Sequence, residues 1–323
     1  MRIARWRTGS GVDEGFVVAD SVIPFADGGT VADVLRGGIG AAHTAYAAVD
    51  GAPGVPLADV ALLAPLVPPA IRDFVTFEEH VEGVSASVDG RSEVVAEWYE
   101  APTFYFTNPH TVRGSGEIVP VPVSGRLDFE LEVAAVIGAV PGSDGANLSP
   151  QDAAAAIFGY TVMNDWSARD LQSREMKVRL GPCKGKDFAT TLGPWIVTAD
   201  ELEQYLDADG FLAVRAEVRV NGRLIGEDLV ANMGWPFPEL VAYASRNSVV
   251  VPGDVLGSGT VGNGGCLAEL WGRSGDLQPP PLTAGDEVRM LVEGIGEIVN
   301  IVGAPVQAPD IPPARTRSRT RAR

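Results

Sequence analysis

Sulfur and imidazole are scarce in this chain of 323 residues, which has two cysteines, Cys183 and Cys266, and three histidines, His43, His80 and His110. Two thiols build neither a disulfide framework nor a zinc set, and so few imidazoles argue against a histidine-rich metal centre. Long apolar runs are missing too. No stretch reaches the roughly 18 residues of a spanning helix, and the opening Met1-Arg2-Ile3-Ala4-Arg5-Trp6-Arg7 lacks the apolar middle of a signal peptide. A cytoplasmic protein with no membrane partner is expected. Positive charge is short as well. The net charge is −17, and five of the 25 basic but one of the 42 acidic residues fall in the last twenty positions. The remainder holds 20 basic against 41 acidic residues, a balance that repels nucleic acid. From Ala304 to Arg323 the chain is Pro-rich and then alternates Arg with Thr, Ser and Ala, so residues 304–323 are expected to form a disordered tail.

What is present is ample apolar material, 46% of residues with a mean hydropathy of +0.10, in a length that allows one large domain with a smaller one. One stretch organises the rest. In Leu127-Asp128-Phe129-Glu130-Leu131-Glu132-Val133, apolar and acidic residues alternate, the period of a strand with three carboxylates on one face. Two readings stay open for this strip: a solvated outer face of an antiparallel sheet, or a site where a cation offsets the repulsion between neighbouring acids. A second apolar strand, Ile157 to Met163, ends in Asn164-Asp165 just before a helix, a place where sites are often built. Carboxylates without sulfur or nitrogen partners suit a hard cation such as Mg²⁺, Mn²⁺ or Ca²⁺.

Along the chain, residues 1–66 read as a small leading α/β unit: strands at Arg2–Arg7 and Gly15–Pro24, Ala-rich helical segments, and a connecting strand at Val60–Val67. Thr76 and Glu79 have capping-box spacing, which starts a helix at Thr76 and puts His80 in its first turns. Residues 83–97 are small, polar and non-periodic, a lid or a surface loop. Trp98–Phe106 reads as a strand, Ser149-Pro150 opens a helix, and Ser167-Ala168-Arg169-Asp170 is a second capping box that sets Arg169 and Gln172 on one helical face. Leu180 to Asp187 lacks the Gly-Lys-Ser/Thr ending of a phosphate loop, so no nucleotide site is expected. Asn221-Gly222 marks a hairpin, Pro236–Ser245 a helix, and Val249–Leu256 and Glu287–Val292 strands. Gly257 to Gly265 is a flexible loop between strands. Strands outnumber helices and are joined mostly by turns, which implies a β-rich α+β fold.

These residues resemble a known family. From about Ile71 to Val302 the chain is similar to the fumarylacetoacetate hydrolase family, through Leu127-Asp-Phe-Glu-Leu-Glu132, Met163-Asn-Asp-Trp-Ser-Ala-Arg-Asp170, Gly181-Pro-Cys-Lys-Gly-Lys186 and Gly257-Ser-Gly-Thr260. The resemblance implies a mixed β-roll or β-sandwich catalytic domain over 67–303, a homodimer, and a divalent cation, with Mg²⁺ first and Mn²⁺ or Ca²⁺ as alternatives. It places metal ligands at Glu130, Glu132, Asp165 and Asp73. It puts a catalytic histidine at His80 with Glu269 as its partner, oxyanion-stabilising groups at Lys186 and Gln172, and substrate contacts at Tyr105, Arg169 and Thr260. Two departures stand out. Val75 replaces an aromatic hydroxyl two residues after Asp73, which bears on the substrate. The His-x-x-Glu pattern of the acylpyruvase-type members reads His80-Val-Glu-Gly83, which argues against their mechanism.

The implied function is metal-dependent hydrolysis of a C–C bond in a 1,3-diketo acid or acylpyruvate-like substrate, with His80 and Glu269 activating water. Within the same family, a decarboxylase, isomerase or tautomerase of 2-oxo acids is the alternative, since both need the enolate. A catalytically silent metal-binding protein would keep the carboxylates but not the pairing of His80 with Glu269.

Overall fold

The computed structural model describes residues 1–9, 11–89 and 92–316. Two sheets dominate the described residues. The larger has twelve strands, ten of them in the order Val55–Pro56, Ser21–Pro24, Val12–Val18, Arg2–Arg7, Thr190–Thr198, Ile157–Asp165, Leu131–Ile137, Val255–Gly257, Ile71–Phe74 and Phe104–Thr107. The second has five, in the order Arg223–Leu229, Arg215–Val220, Glu287–Val292, Gly296–Val306 and Ile118–Pro122. Pairing is mostly antiparallel, with parallel contacts where Ile71–Phe74 meets Val255–Gly257 and where Ile118–Pro122 meets Gly296–Val306. The fold is therefore α+β and β-rich with mixed sheets. The leading strands are hydrogen-bonded into the large sheet through Arg2–Arg7, which pairs with Thr190–Thr198.

Every residue of Leu131–Ile137 and of Ile157–Asp165 is buried. Alternation explains how. Val133, Ala135 and Ile137 join a core that includes Ala216, Val218, Val288 and Met290 of the second sheet. Ala134 and Val136 face the other way, into a core with Val31, Val34 and Leu35 of the helix Val31–Ala48. Sheet on one side and helix on the other leave these middle strands no wet face, and they read as near-continuous apolar runs. Acidic residues there cannot be solvent-facing decoration. No helix among the described residues is long and apolar enough to cross a membrane.

Several local expectations shift for identifiable reasons. The acidic strip is not one strand: Leu127–Asp128 pairs with Ser167–Ala168, the chain turns through Phe129-Glu130, and Leu131–Ile137 then joins the large sheet. The helix bearing His80 runs Glu78–Asp89, because the Thr76 hydroxyl donates to Ser258 O (2.6 Å) instead of capping. It continues through much of the stretch read as non-periodic, of which residues 90 and 91 lie outside the described residues. Ser167 makes no capping box, since its hydroxyl turns back to Asp165 O (3.1 Å). The strand expected over Trp98–Phe106 is a 3-10 turn at Ala96–Tyr99 and a strand at Phe104–Thr107, and the strand expected over Val249–Leu256 is confined to Val255–Gly257. The final strand extends to Val306, residues 307–316 have no regular structure, and the rest of the Arg-rich tail lies outside the described residues. The Asn221-Gly222 hairpin stands, with both residues at positive φ (50° and 78°) as a tight two-residue turn requires.

Candidate metal and catalytic site

Three strands of the large sheet and one turn bring four acids to one place. Asp165 ends Ile157–Asp165, Glu132 lies on Leu131–Ile137, and Asp73 lies on Ile71–Phe74 opposite Gly257 of the strand between them. Glu130 enters from the turn, its N–H donating to Asn164 Oδ1 (3.0 Å) and its carbonyl accepting from Asp165 N–H (3.2 Å). All four are buried, and one oxygen from each lies within 4.8 Å of every other. Gly257 makes room for this. A Cβ there would stand 2.7 Å from Glu132 Oε2 and 2.9 Å from Asp73 Oδ1.

Three carboxylate oxygens in the cluster, Asp73 Oδ1, Glu132 Oε1 and Asp165 Oδ1, are buried without a hydrogen-bond partner among the described residues. Such atoms ordinarily cost stability. Burial first, and for Glu132 the neighbouring carboxylates next, push Asp73, Glu132 and Asp165 above the ordinary carboxylate range. An oxygen-only donor set with this much uncompensated negative charge fits a hard divalent cation. Glu130 differs: burial works against its charge, but Lys186 and Arg169 outweigh it and hold the carboxyl well below the usual range.

Those two cations come from one helix and the loop after it. Arg169, at the start of Arg169–Met176, pairs with Asp128 (2.7 Å) and Glu130 (2.8 Å) and donates to Gln172 Oε1 (3.0 Å). Lys186 pairs with Glu130 and with Asp165 (2.6 Å), and its ammonium lies 5.9 Å from the Tyr105 ring centroid. The Tyr105 hydroxyl donates to Asp165 Oδ2. Thr260 is buried in the loop that follows Gly257, which docks on the turn through Val261 N–H to Leu131 O (2.8 Å).

His80 stands at the edge of this cluster, Nε2 4.0 Å from Glu130 Oε1. Burial pulls its pKa down to about 4, so the ring is neutral near pH 7. The expected partner is not in place. Among the described residues no hydrogen bond joins His80 to Glu269; the ring Nδ1 instead lies 3.6 Å from Cys266 Sγ. Cys266 caps the helix Leu267–Ser274, accepting Glu269 N–H at 3.4 Å, so one sulfur touches both. The Glu269 carboxylate turns to Gly264 N–H (3.1 Å) and Arg273 (2.8 Å). Burial raises its pKa to about 7.

The structure thus gathers Asp73, Glu130, Glu132, Asp165, Lys186, Arg169, Gln172, Tyr105 and His80 through direct contacts, and sets Glu269 behind Cys266. Asp128, one of the three acids of the strip, and Cys266 have contacts in the site that the sequence does not assign them. Asp128 is fully buried and accepts Leu267 N–H (2.8 Å) and Ala268 N–H (3.0 Å) besides Arg169, tying the arginine to the helix of Glu269. Its spacing from Glu130 was the only visible signal; its destination 139 residues away was not.

Comparison with known proteins identifies the family. The model of the fumarylacetoacetate (FAA) hydrolase C-terminal region matches residues 70–303. The chain belongs to the fumarylacetoacetate hydrolase family. It is 31% identical to a fumarylacetoacetase of Arabidopsis thaliana over 259 residues (66% of this chain, 61% of the relative). It is 32% identical to an oxaloacetate tautomerase of Bacillus subtilis over 206 residues (63% of this chain, 62% of the relative). The chain therefore spans about three fifths of the length of these curated relatives. Among solved structures, a fumarylacetoacetate hydrolase from Exiguobacterium antarcticum superposes with TM-score 0.71 at 25% identity, covering 94% of this chain and 99% of that one. A maleylpyruvate hydrolase from Sphingobium sp. SYK-6, in complex with manganese(II) ion and pyruvate, gives TM-score 0.68 at 21% identity, covering 95% and 100%, a likeness of fold.

Gly257→Ala is expected to lower affinity for Mg²⁺ or Mn²⁺ at least about tenfold while leaving the metal-free protein folded, because the methyl displaces two carboxylates. Melting curves with and without metal check this. The unaltered protein should gain about 2.7 kcal/mol at a hundredfold excess over Kd, and an equal gain in the variant would count against the cluster. His80 is expected to stay neutral from pH 8 to pH 5 in a nitrogen-15 NMR titration of the metal-free protein. Its folded pKa lies below its unfolded value, so the stability it contributes is present above about pH 6.5 and lost as pH falls toward 4.

Proposed function

We propose that this protein is a divalent-metal-dependent hydrolase that cleaves a C–C bond in a 1,3-diketo acid or acylpyruvate-like substrate. The observation that carries the reading is a neutral, buried imidazole 4.0 Å from a carboxylate of the cation-fitting cluster, with a charged lysine on the same carboxylate. Asp73, Glu130, Glu132 and Asp165 would hold the cation, Mg²⁺ or Mn²⁺, which when bound supplies Lewis-acid polarisation of a carbonyl oxygen. His80 takes a proton from water at Nε2, a step worth ~10²–10⁴-fold, and being neutral at pH 7 it is free to accept one. Lys186 stays protonated, since Asp165 and Glu130 outweigh the burial that opposes its charge. Its ammonium and the Gln172 amide stabilise developing oxyanion charge, where loss of one donor costs about 3 kcal/mol. Arg169, Tyr105 and Thr260 orient the carboxylate and carbonyl groups of the substrate. Glu269 supports His80 through Cys266 in this scheme. A homodimer and a cytoplasmic location belong to the same proposal and rest on the family.

One observation favours a second reading. With Glu269 held by Arg273 and Gly264, His80 has among the described residues no hydrogen-bonded carboxylate partner of the kind that water activation calls for, and keto–enol tautomerisation of a 2-oxo acid needs no water. The relative that is an oxaloacetate tautomerase fits that reading.

Turnover of diketo acids and oxaloacetate in water enriched in oxygen-18 separates the two. Hydrolysis places one heavy oxygen in the new carboxylate of the released acid, and His80→Gln should cut that rate by ~10²-fold or more. Interconversion of oxaloacetate tautomers without C–C cleavage, little changed by His80→Gln, would overturn the hydrolase in favour of the tautomerase.

A further inference from the structure

Lys186 reaches the acidic cluster from a stretch with little regular structure. Between Met176 and Thr190 no helix or strand is formed, and the backbone passes through positive φ at Arg179 (60°) and Gly181 (93°). A long, buried ammonium on such a loop needs something to fix its base. A single carboxylate does so. Glu175 Oε2 accepts the N–H groups of Cys183 (2.9 Å) and Gly185 (3.1 Å), and its Oε1 accepts that of Lys184 (2.9 Å). Three consecutive amides converge on one anion immediately before Lys186, the concave arrangement in which backbone N–H groups bind anions.

The carboxylate itself is well anchored. Glu175 is on Arg169–Met176 at intervals of three from Gln172 and Arg169, so one helical face carries all three. Arg169 meets Glu130, Gln172 packs on the loop, and Glu175 fills the amide cradle. Gly185 permits the approach: a Cβ there would lie 2.7 Å from the backbone nitrogen of Gln172. Two further bonds close the loop around the cradle, Ala168 N–H to Gly185 O (2.8 Å) and Lys186 N–H to Cys183 O (3.0 Å).

We propose that Glu175 is a positioning residue of the site: as a built-in anion it holds the amides of residues 183–185 and so sets the Lys186 ammonium against Glu130 and Asp165. The consequence for turnover rests on the role given to Lys186 under the proposed function; the positioning itself does not. A neutral amide at 175 would turn a donor toward at least one N–H, and an aspartate falls a methylene short of three amides, so neither replaces the carboxylate.

The chain has three lysines, at positions 177, 184 and 186, which makes amine labelling a clean readout. Lys186 is buried while Lys177 and Lys184 are exposed. With acetic anhydride as probe, Glu175→Ala is expected to raise the labelling rate of Lys186 about tenfold relative to Lys177, and to speed amide exchange at 183–185 by about 10–100-fold. Acetate or formate at high concentration should partly restore slow labelling by entering the cradle. Glu175→Gln should fall between the two, and because Glu175 is only half-buried and its cradle lies on a loop outside the core clusters, the melting temperature should be little changed. On an active diketo-acid substrate, kcat should fall ~10²-fold in Glu175→Ala with KM within about threefold. Labelling and exchange indistinguishable from the unaltered protein in both Glu175→Ala and Glu175→Gln would overturn the positioning role. If both quicken while kcat holds, the positioning stands and the oxyanion role of Lys186 falls. If no oxo acid is turned over at all, labelling and exchange still decide the matter.

Discussion

Four carboxylates in a dry interior repel one another, and the energy of that repulsion at low dielectric is large enough to set the terms for everything around them. The structure meets the demand with cations delivered at defined points. Lys186 and Arg169 converge on Glu130, and Asp165 also takes Lys186. Among the described residues Asp73 and Glu132 have no such partner and keep orphaned oxygens, as does Asp165 on its second atom. The charge that is unmet faces one spot, which is the reason the cluster fits a divalent cation and a decorative acidic surface does not.

Holding this charge requires a rigid frame, and the frame is made of packing on both sides. The strands of Glu132 and Asp165 are buried between a second sheet and a helix, so their backbones have no freedom to splay the acids apart. Gly257 contributes by having no side chain, and Asp128 by tying Arg169 to the first amides of the helix Leu267–Ser274. That helix in turn packs against the His80 helix at Gly83 and Gly272, where a Cβ on Gly272 would lie 1.8 Å from Gly83 O. The four acids, His80, Lys186 and Arg169 are thus parts of one contact network.

Much of this was legible in the chain. The alternation of Leu127 to Val133 exposed the acids, and Asn164-Asp165 at a strand end supplied the other side of the cluster. Composition argued against a cysteine-built zinc set and pointed to oxygen ligands. Local patterning failed where another acceptor took the hydroxyl: Thr76 donates to Ser258 across the fold and Ser167 turns back two residues to Asp165, each abandoning a capping box. The same kind of contest decided Glu269. The resemblance paired it with His80, but Arg273 one helical turn on and the Gly264 amide hold the carboxylate, and the Cys266 sulfur takes the imidazole. Nothing in a one-dimensional pattern ranks those competitors.

The account stands or falls on where a cation sits. Crystals grown with Mn²⁺ and measured at the manganese absorption edge should show one strong anomalous peak in contact with the carboxylates of Glu130, Glu132 and Asp165. A peak elsewhere, or none there at saturating metal with the four acids still clustered, would contradict it.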